Sequence, residues 1–332
     1  EREISAYLGV KDAAALSSGT AALHLSLNIL GIKKNDFVFC SDLTFVASAN
    51  AISYLGAIPI FIDSEEKSWN MCPDSLEEAF KKFSPKAVIV TDLYGQSANY
   101  HEILNICKKR NVPIIEDAAE SLGASLGKKK CGSFGEMAIV SFNGNKIITT
   151  SGGGMLLSNN QEYIKKARKL ASQAKEDYLH YEHIELGYNY RMSNIIAAIG
   201  RAQLKVLDKY VKLRREIFNH YKENLIENKN INFMPEPDGS FSTRWLTVLQ
   251  INNNSKFSAN SLINHLINKN IEARPVWKPM HMQPLYMKSD FIKINEKSIS
   301  KKLFNKGLCL PSGSNLTEQD QFRVINAIKR FL

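Results

Sequence analysis

Short apolar runs alternate with amphipathic stretches through the first half of the chain. The apolar runs predict strands at residues 37–40, 58–62, 87–91, 112–116 and 137–142. Helical periodicity lies between them, at residues 20–30, 44–54, 73–83 and 100–109. Apolar strands separated by helices are typical of a parallel sheet covered on both faces. Ligands bind at the carboxyl ends of such strands, so the turns after each strand are where a site is expected.

The pattern changes in the second half of the chain. A long helix is predicted at residues 193–212, followed from about residue 216 by an α+β mixture with Asn-rich loops at 228–232 and 252–254. We therefore predict a large domain at residues 1–212 and a smaller α+β domain at residues 213–332. Residues 1–8 have the pattern of the middle of a helix, so a further segment is expected upstream.

Composition narrows the classes of function. The 332 residues are 44% apolar and carry a formal charge of +10, which suits an anionic partner such as nucleic acid, a membrane surface or a phosphorylated metabolite. No nucleic-acid-binding signature, bilayer-spanning stretch or signal peptide is recognisable, so neither nucleic acid nor membrane is predicted as a partner. The five cysteines are widely spaced and the histidines lack metal-ligand spacing, so we expect no disulfide, no metal and a cytoplasmic location.

Two of the turns could bind a phosphorylated ring. Ser18, Gly19 and Thr20 precede a helix, whose N-terminus favours an anion, although such residues often merely cap helices. Asp117 follows an apolar strand, where a carboxylate can pair with a pyridinium nitrogen, and the small Ala119 leaves room for a flat ring. A helix cap is the alternative for Asp117.

The turn at residues 141–154 contains a candidate nucleophile. Lys146, in a turn rich in Gly and Asn, could form a Schiff base with an aldehyde cofactor, and Ser141 could donate to a phosphate. The alternative is an ordinary solvated lysine, but the three glycines at 152–154 indicate a close backbone approach. Phe45 could stack on a flat cofactor or simply belong to the core.

The order of these motifs resembles the DegT/DnrJ/StrS family of pyridoxal-phosphate-dependent sugar aminotransferases. The resemblance rests on residues 18–23 (SGTAAL), 43–50 (LTFVASAN), 93–96 (LYGQ), 116–121 (EDAAES), 132–135 (GSFG), 141–146 (SFNGNK) and 187–192 (GYNYRM). The bacillosamine-type branch is the nearest, through residues 143–155, 272–281 and 307–314. Asp92 departs from the family, which commonly has histidine there, and this change could alter the substrate pocket.

The resemblance implies a fold type I, aspartate-aminotransferase-like α/β subunit with a mostly parallel sheet, and a homodimer with shared active sites. It makes Lys146 the lysine that bonds pyridoxal phosphate and Asp117 the partner of the pyridine nitrogen. The other implied cofactor contacts are Glu120 at the ring hydroxyl, Phe45 and Ala119 on the ring faces, Gly19, Thr20 and Ser141 at the phosphate, and Asn189 at the phosphate from the partner subunit. The implied substrate-side residues are His183, Arg191, Arg274, Trp277, Lys278 and His281.

The activity implied is transfer of an amino group from L-glutamate to C4 of a nucleotide-linked 4-keto-6-deoxy sugar in polysaccharide or glycan biosynthesis. UDP-2-acetamido-2,6-dideoxy-4-hexulose is the expected acceptor. The family also contains dehydratases, but those replace the lysine with histidine, so Lys146 argues against that activity. A catalytically silent protein of the same fold, acting as a regulator or scaffold, is the alternative.

Overall fold

The computed structural model describes residues 1–252 and 255–332; the last two positions of the predicted loop at 252–254 lie outside the described residues. In chain order the helices are α1 (Arg2–Leu8), α2 (Gly19–Ile29), α3 (Val46–Tyr54), α4 (Pro73–Lys82), α5 (Tyr100–Lys108), α6 (Gln161–Ala171), α7 (Asn194–Leu204), α8 (Leu207–Leu225), α9 (Ala259–Ile267), α10 (Ile299–Lys306) and α11 (Glu318–Lys329). The strands are β1 (Asp12–Leu16), β2 (Phe37–Ser41), β3 (Ile58–Ile62), β4 (Ala87–Thr91), β5 (Ile114–Asp117), β6 (Ser125–Leu126), β7 (Lys129–Lys130), β8 (Met137–Ser141), β9 (Gly154–Ser158), β10 (Ile231–Phe233), β11 (Ser240–Phe241), β12 (Thr247–Ile251), β13 (Arg274–Pro275), β14 (Phe291–Ile292) and β15 (Gly307–Leu310).

The central feature is an eight-stranded sheet in the order β1-β9-β8-β5-β4-β2-β3-β14. Every neighbouring pair is parallel except those made by β9, which runs against both β1 and β8. The predicted mostly parallel α/β fold is confirmed. The sequence pattern predicts neither β1 nor β9. β9 pairs with β1 on one side and with β8 on the other, and the turn containing Lys146 connects β8 to β9.

The sheet is buried on both faces because most positions of its strands are apolar, with polar residues mainly at the strand ends. In β4, Val88 and Val90 point into one hydrophobic cluster, while Ala87 and Ile89 point into the other. Successive side chains of a strand alternate between faces, so a strand without polar positions needs cover on both sides. Helices on each face supply it, which leaves the strand ends as the accessible edges.

The predicted single helix at residues 193–212 is wrong. The chain forms α7 and α8 instead, with non-helical backbone at Val206 (φ −111°, ψ 4°). The turn lets Leu207 become fully buried in the core beside the sheet, whereas α7 itself has no buried residue. Tertiary packing therefore overrides a helical periodicity that continues across the break.

The C-terminal half builds an antiparallel sheet in the order β10-β12-β15-β13, with a hydrophobic cluster of its own that includes Tyr221, Leu249 and Leu262. It also contributes β14 to the large sheet, beside β3. The domain boundary between residues 212 and 213 stays a prediction. None of the helices in the described parts of the chain has the length and hydropathy needed to cross a bilayer.

Candidate active site

A cavity of about 1240 Å³ lies at the carboxyl ends of β5 and β8. Residues 272–278 and 309–313 of the C-terminal half form its other wall. It collects most of the predicted site residues: Gly19, Thr20, Phe45, Asp117, Ala119, Glu120, Ser141, Lys146, Arg274, Trp277 and Lys278. The expectation that ligand-binding residues follow the strands of a parallel sheet thus agrees with the position of this cavity.

Asp117 is the last residue of β5 and only 5% exposed. Its Oδ2 accepts a hydrogen bond from the Ser48 hydroxyl at 2.5 Å, and its Oδ1 accepts one from the Ala119 N–H at 3.2 Å. Burial raises the pKa of the Asp117 carboxyl, while these two donors and the charge of Lys146 act in the opposite direction. The carboxylate is therefore held in a fixed orientation at the cavity wall.

Lys146 lies in the loop between β8 and β9. Its ammonium group is 4.2 Å from the centre of the Trp245 ring, a cation–π distance. Trp245 is 3% exposed, and its indole N–H donates to the carbonyl of Asn145 at 2.9 Å. Sequence reasoning missed Trp245, since it lies about a hundred residues downstream in a segment without a local motif.

The N-terminus of α2 forms one end of the cavity. The Ser18 hydroxyl caps the helix by accepting the Ala21 N–H at 3.0 Å, and Gly19 and Thr20 form the first turn. A Cβ on Gly19 would lie 3.2 Å from Cβ of Ser141, and one on Gly154 would overlap the backbone nitrogen of Gly19. Glycine at both positions lets the helix end approach β8 and β9, and a helix N-terminus that lines a cavity attracts anions.

Glu120 connects the cavity wall to a buried aromatic group. Its Oε2 accepts the backbone N–H of Tyr94 at 2.7 Å, and the Tyr94 hydroxyl accepts the N–H of Trp277 at 3.0 Å. Burial raises the pKa of Glu120 to about 8, although Lys146 and the Tyr94 amide oppose the shift. Tyr94 has a left-handed backbone (φ 52°), which is unusual for a residue other than glycine.

Asp92, the departure from the family pattern, is fully buried and does not line this cavity. It accepts the Ala98 N–H at 2.9 Å and the Ser121 hydroxyl at 2.8 Å. Burial raises its pKa to about 6. Any effect of this residue on the substrate pocket would have to act through the packing beneath it.

The remaining predicted residues lie elsewhere. His183 and Arg191 line a separate hollow of about 780 Å³, and Asn189 pairs with Ser172 at its edge. The ring of His281 stacks on Phe291 at 3.9 Å, and its Nδ1 is 2.7 Å from Oδ2 of the buried Asp42. The predicted contacts of these residues with substrate or with a partner subunit stay predictions.

The residues of the cavity fit pyridoxal phosphate. An amine at Lys146 suits its aldehyde, and the carboxylate of Asp117 suits its pyridine nitrogen. The α2 N-terminus with the hydroxyls of Thr20 and Ser141 suits its phosphate. Phe45, 54% exposed, offers an aromatic face at the mouth, 5.5 Å from the Trp277 ring centre.

The fold and this cavity define a pyridoxal-phosphate-dependent aminotransferase of fold type I. The chain belongs to the DegT/DnrJ/EryC1/StrS aminotransferase family, whose sequence profile matches residues 1–329. The predicted family, cofactor and sugar aminotransferase class are confirmed.

Three named relatives are similar over most of their length. EpsN of Bacillus subtilis (strain 168), described as a pyridoxal phosphate-dependent aminotransferase, is 52% identical over 99% of this chain and 86% of its own. The GDP-perosamine synthase of Escherichia coli O157:H7 is 37% identical over 97% and 86%. The UDP-4-amino-4,6-dideoxy-N-acetyl-beta-L-altrosamine transaminase of Campylobacter jejuni is 36% identical over 87% and 77%.

The crystal structure of a DegT DnrJ EryC1 StrS aminotransferase from Brucella abortus has the same fold. It superimposes with a TM-score of 0.91 at 30% identity, over 100% of this chain and 88% of that one.

Proposed function

We propose that the protein transfers the amino group of L-glutamate to C4 of a nucleotide-linked 4-keto-6-deoxy sugar used in polysaccharide or glycan biosynthesis. The acceptor that we favour is UDP-2-acetamido-2,6-dideoxy-4-hexulose. The observation that carries the proposal is that Lys146 and Asp117 line one cavity together with the N-terminus of α2. These three groups suit the aldehyde, the pyridine nitrogen and the phosphate of pyridoxal phosphate.

The cofactor, when bound, supplies an electron sink that stabilises negative charge on the carbon next to the transferred nitrogen. The amine of Lys146 is positioned to take a proton from the α-carbon of the donor and to return one to the product, as a general acid and base. Asp117 would pair with the ring nitrogen and keep it protonated. The first turn of α2 and Ser141 would hold the phosphate and so orient the cofactor.

Three observations support a nucleotide sugar as the acceptor. The cavity of about 1240 Å³ is larger than the roughly 300–1,000 Å³ of an ordinary ligand site, so it has room for a cofactor and a second ligand. Arg274 and Lys278 line its mouth, where they could meet a diphosphate. The names of two relatives contain GDP- and UDP-linked amino sugars, and one name specifies a 4-amino-4,6-dideoxy sugar.

The test is incubation of the protein with pyridoxal phosphate, L-glutamate and a panel of UDP-, GDP- and dTDP-linked 4-keto-6-deoxy sugars. We expect 2-oxoglutarate and a 4-amino sugar from the UDP-linked N-acetyl substrate, identified by mass spectrometry. Turnover of only the GDP-linked substrate would support the proposed reaction but refute the proposed acceptor. No 2-oxoglutarate with any keto sugar would refute the reaction as well.

We also propose a homodimer in which Asn189 reaches the phosphate of the partner's site. The segment around it carries exposed apolar side chains that a monomer would leave in water: Tyr178, Leu179, Tyr181, Ile184, Leu186 and Ile195. A mass near 75 kDa in light scattering is expected, about twice the 37.4 kDa of one chain.

The five buried, unpaired cysteines among the described residues fit the proposed cytoplasmic location.

A further inference from the structure

Three buried hydroxyls form a hydrogen-bonded chain that ends on Asp117. The Ser48 hydroxyl donates to Oδ2 of Asp117 at 2.5 Å, Thr44 Oγ1 is 3.1 Å from Ser48 Oγ, and Thr91 Oγ1 is 2.8 Å from Thr44 Oγ1. All three residues are at most 2% exposed. They come from the end of β4, from the loop after β2 and from α3, so the fold places Thr91 beside the Thr44–Ser48 pair, although Thr91 lies 47 residues from Thr44 in sequence.

The charge of the carboxylate fixes the direction of this chain. A hydroxyl has one proton to donate. Ser48 uses its proton on Asp117, so it can only accept from Thr44. Thr44 then has no proton left for Thr91 and must accept from it. Every proton points towards the carboxylate, and aligned hydrogen bonds of this kind strengthen one another in a buried setting.

Asp117 needs such support because its surroundings disfavour charge. Burial raises the pKa of this carboxyl, and the Ser48 hydroxyl is the first of the groups that counteract it, ahead of the Ala119 amide and Lys146. A neutral Asp117 would pair poorly with a pyridinium cation, since the ion pair would be replaced by a weaker neutral hydrogen bond.

We propose that Ser48, Thr44 and Thr91 are positioning residues that hold Asp117 ionised and oriented towards the ring nitrogen, and thereby set how tightly the protein binds pyridoxal phosphate. This inference rests on the assignment of Asp117 under the proposed function. The inference predicts that loss of these hydroxyls lowers affinity only for a ligand that has the ring nitrogen. A general loosening of the cavity would instead lower the affinity for every ligand of the same shape.

The experiment compares the affinities of pyridoxal phosphate and of its analogue with carbon in place of the ring nitrogen. Ser48→Ala should lower the affinity for pyridoxal phosphate roughly tenfold, as expected for the loss of a hydrogen bond to a charged group. The affinity for the analogue should stay nearly unchanged. Thr44→Val, which keeps the side-chain volume, should show the same selectivity to a smaller degree. Ser53→Ala is the matched control on α3, because its hydroxyl faces Tyr286 and Ala49.

The variant Asp117→Asn separates this inference from the assignment on which it rests. If Asp117→Asn weakens both ligands equally, Asp117 is not the partner of the ring nitrogen, and the assignment fails. If Asp117→Asn is selective for pyridoxal phosphate while Ser48→Ala and Thr44→Val are not, only the hydroxyl chain is refuted. Should Ser48→Ala fail to fold, the isosteric Thr44→Val decides the question.

Discussion

The Lys146 ammonium group lies over the indole of Trp245, 4.2 Å from the ring centre, while the indole N–H binds the carbonyl of the residue preceding the lysine. One side chain from the C-terminal half therefore holds both the backbone and the amine of the reactive turn. The lysine must remain in place for proton transfer whenever it is not bonded to the cofactor. The geometry indicates that Trp245 keeps it there.

Replacement of this indole should slow catalysis without unfolding the protein. Trp245→Leu removes a partly desolvated cation–π contact worth about 1–2 kcal/mol, so we expect a roughly 5- to 30-fold fall in kcat. Trp245→Phe keeps an aromatic face but loses the bond to Asn145, and its rate should be intermediate. Steady-state kinetics at saturating glutamate and keto sugar give the measurement. Equal rates for Trp245→Leu and the unaltered enzyme would contradict the role of the ring.

The lysine itself should be indispensable. Lys146→Ala removes both the covalent attachment and the general base, and we expect a fall in kcat of at least roughly 10²–10⁴-fold. Borohydride should fix the violet-absorbing cofactor to the unaltered protein but not to this variant. Lys128→Ala, at an exposed lysine, serves as the control. Residual turnover near the normal rate would show that the reactive amine belongs to another residue.

Local patterns predict those parts of this protein that depend on neighbours in sequence. The strand at 87–91 coincides with β4, since its apolar run is bounded by polar residues. Lys146, Asp117 and Gly19 could be found because each lies at, or a few residues beyond, the end of a regular element. Ser48 could not, because its role depends on the side of α3 that meets β5. The break at Val206 was likewise hidden, as it results from the burial of Leu207 in a core assembled from distant segments.

Glu120 should make the stability of the cofactor-free protein depend on pH. Burial raises the pKa of this carboxyl from its ordinary 4.5 to about 8, so the folded state holds a proton that the unfolded state releases in this range. The free energy of unfolding therefore falls as the pH rises from about 4.5 to about 8. Glu120→Gln should flatten this slope in urea titrations at several pH values. The exposed Glu227→Gln should leave the slope unchanged, and an equal slope in both variants would argue against a neutral buried Glu120.

His281 should matter for stability more than for substrate binding. Its ring and backbone N–H both contact the buried Asp42, which also accepts the hydroxyl of Ser300. His281→Ala would leave this carboxylate short of a partner, at a cost of roughly 1–3 kcal/mol in the free energy of unfolding. KM for the keto sugar should stay unchanged within a factor of about two, since the ring lies outside the cavity. A large rise in KM for the keto sugar with an unaltered free energy of unfolding would instead indicate that His281 contacts the substrate.

Gly95 should tolerate no side chain, because the C-terminal half docks against it. The φ of Gly95 is +95°. A Cβ at this position would overlap Oγ1 of Thr243 and lie 2.9 Å from the backbone nitrogen of Trp245. The carbonyl of Gly95 also accepts the backbone N–H of Thr243 at 2.9 Å. Gly95→Ala should cost at least about 3 kcal/mol and displace Trp245 from Lys146. Gly127→Ala is the matched control, since Gly127 also has a positive φ (+59°) but no atom within 4 Å of the added carbon. That variant should lose only about 1–2 kcal/mol, the cost of the backbone conformation alone. Equal losses in thermal unfolding of the two variants would mean that the contact with residues 243–245 is not what requires glycine at position 95.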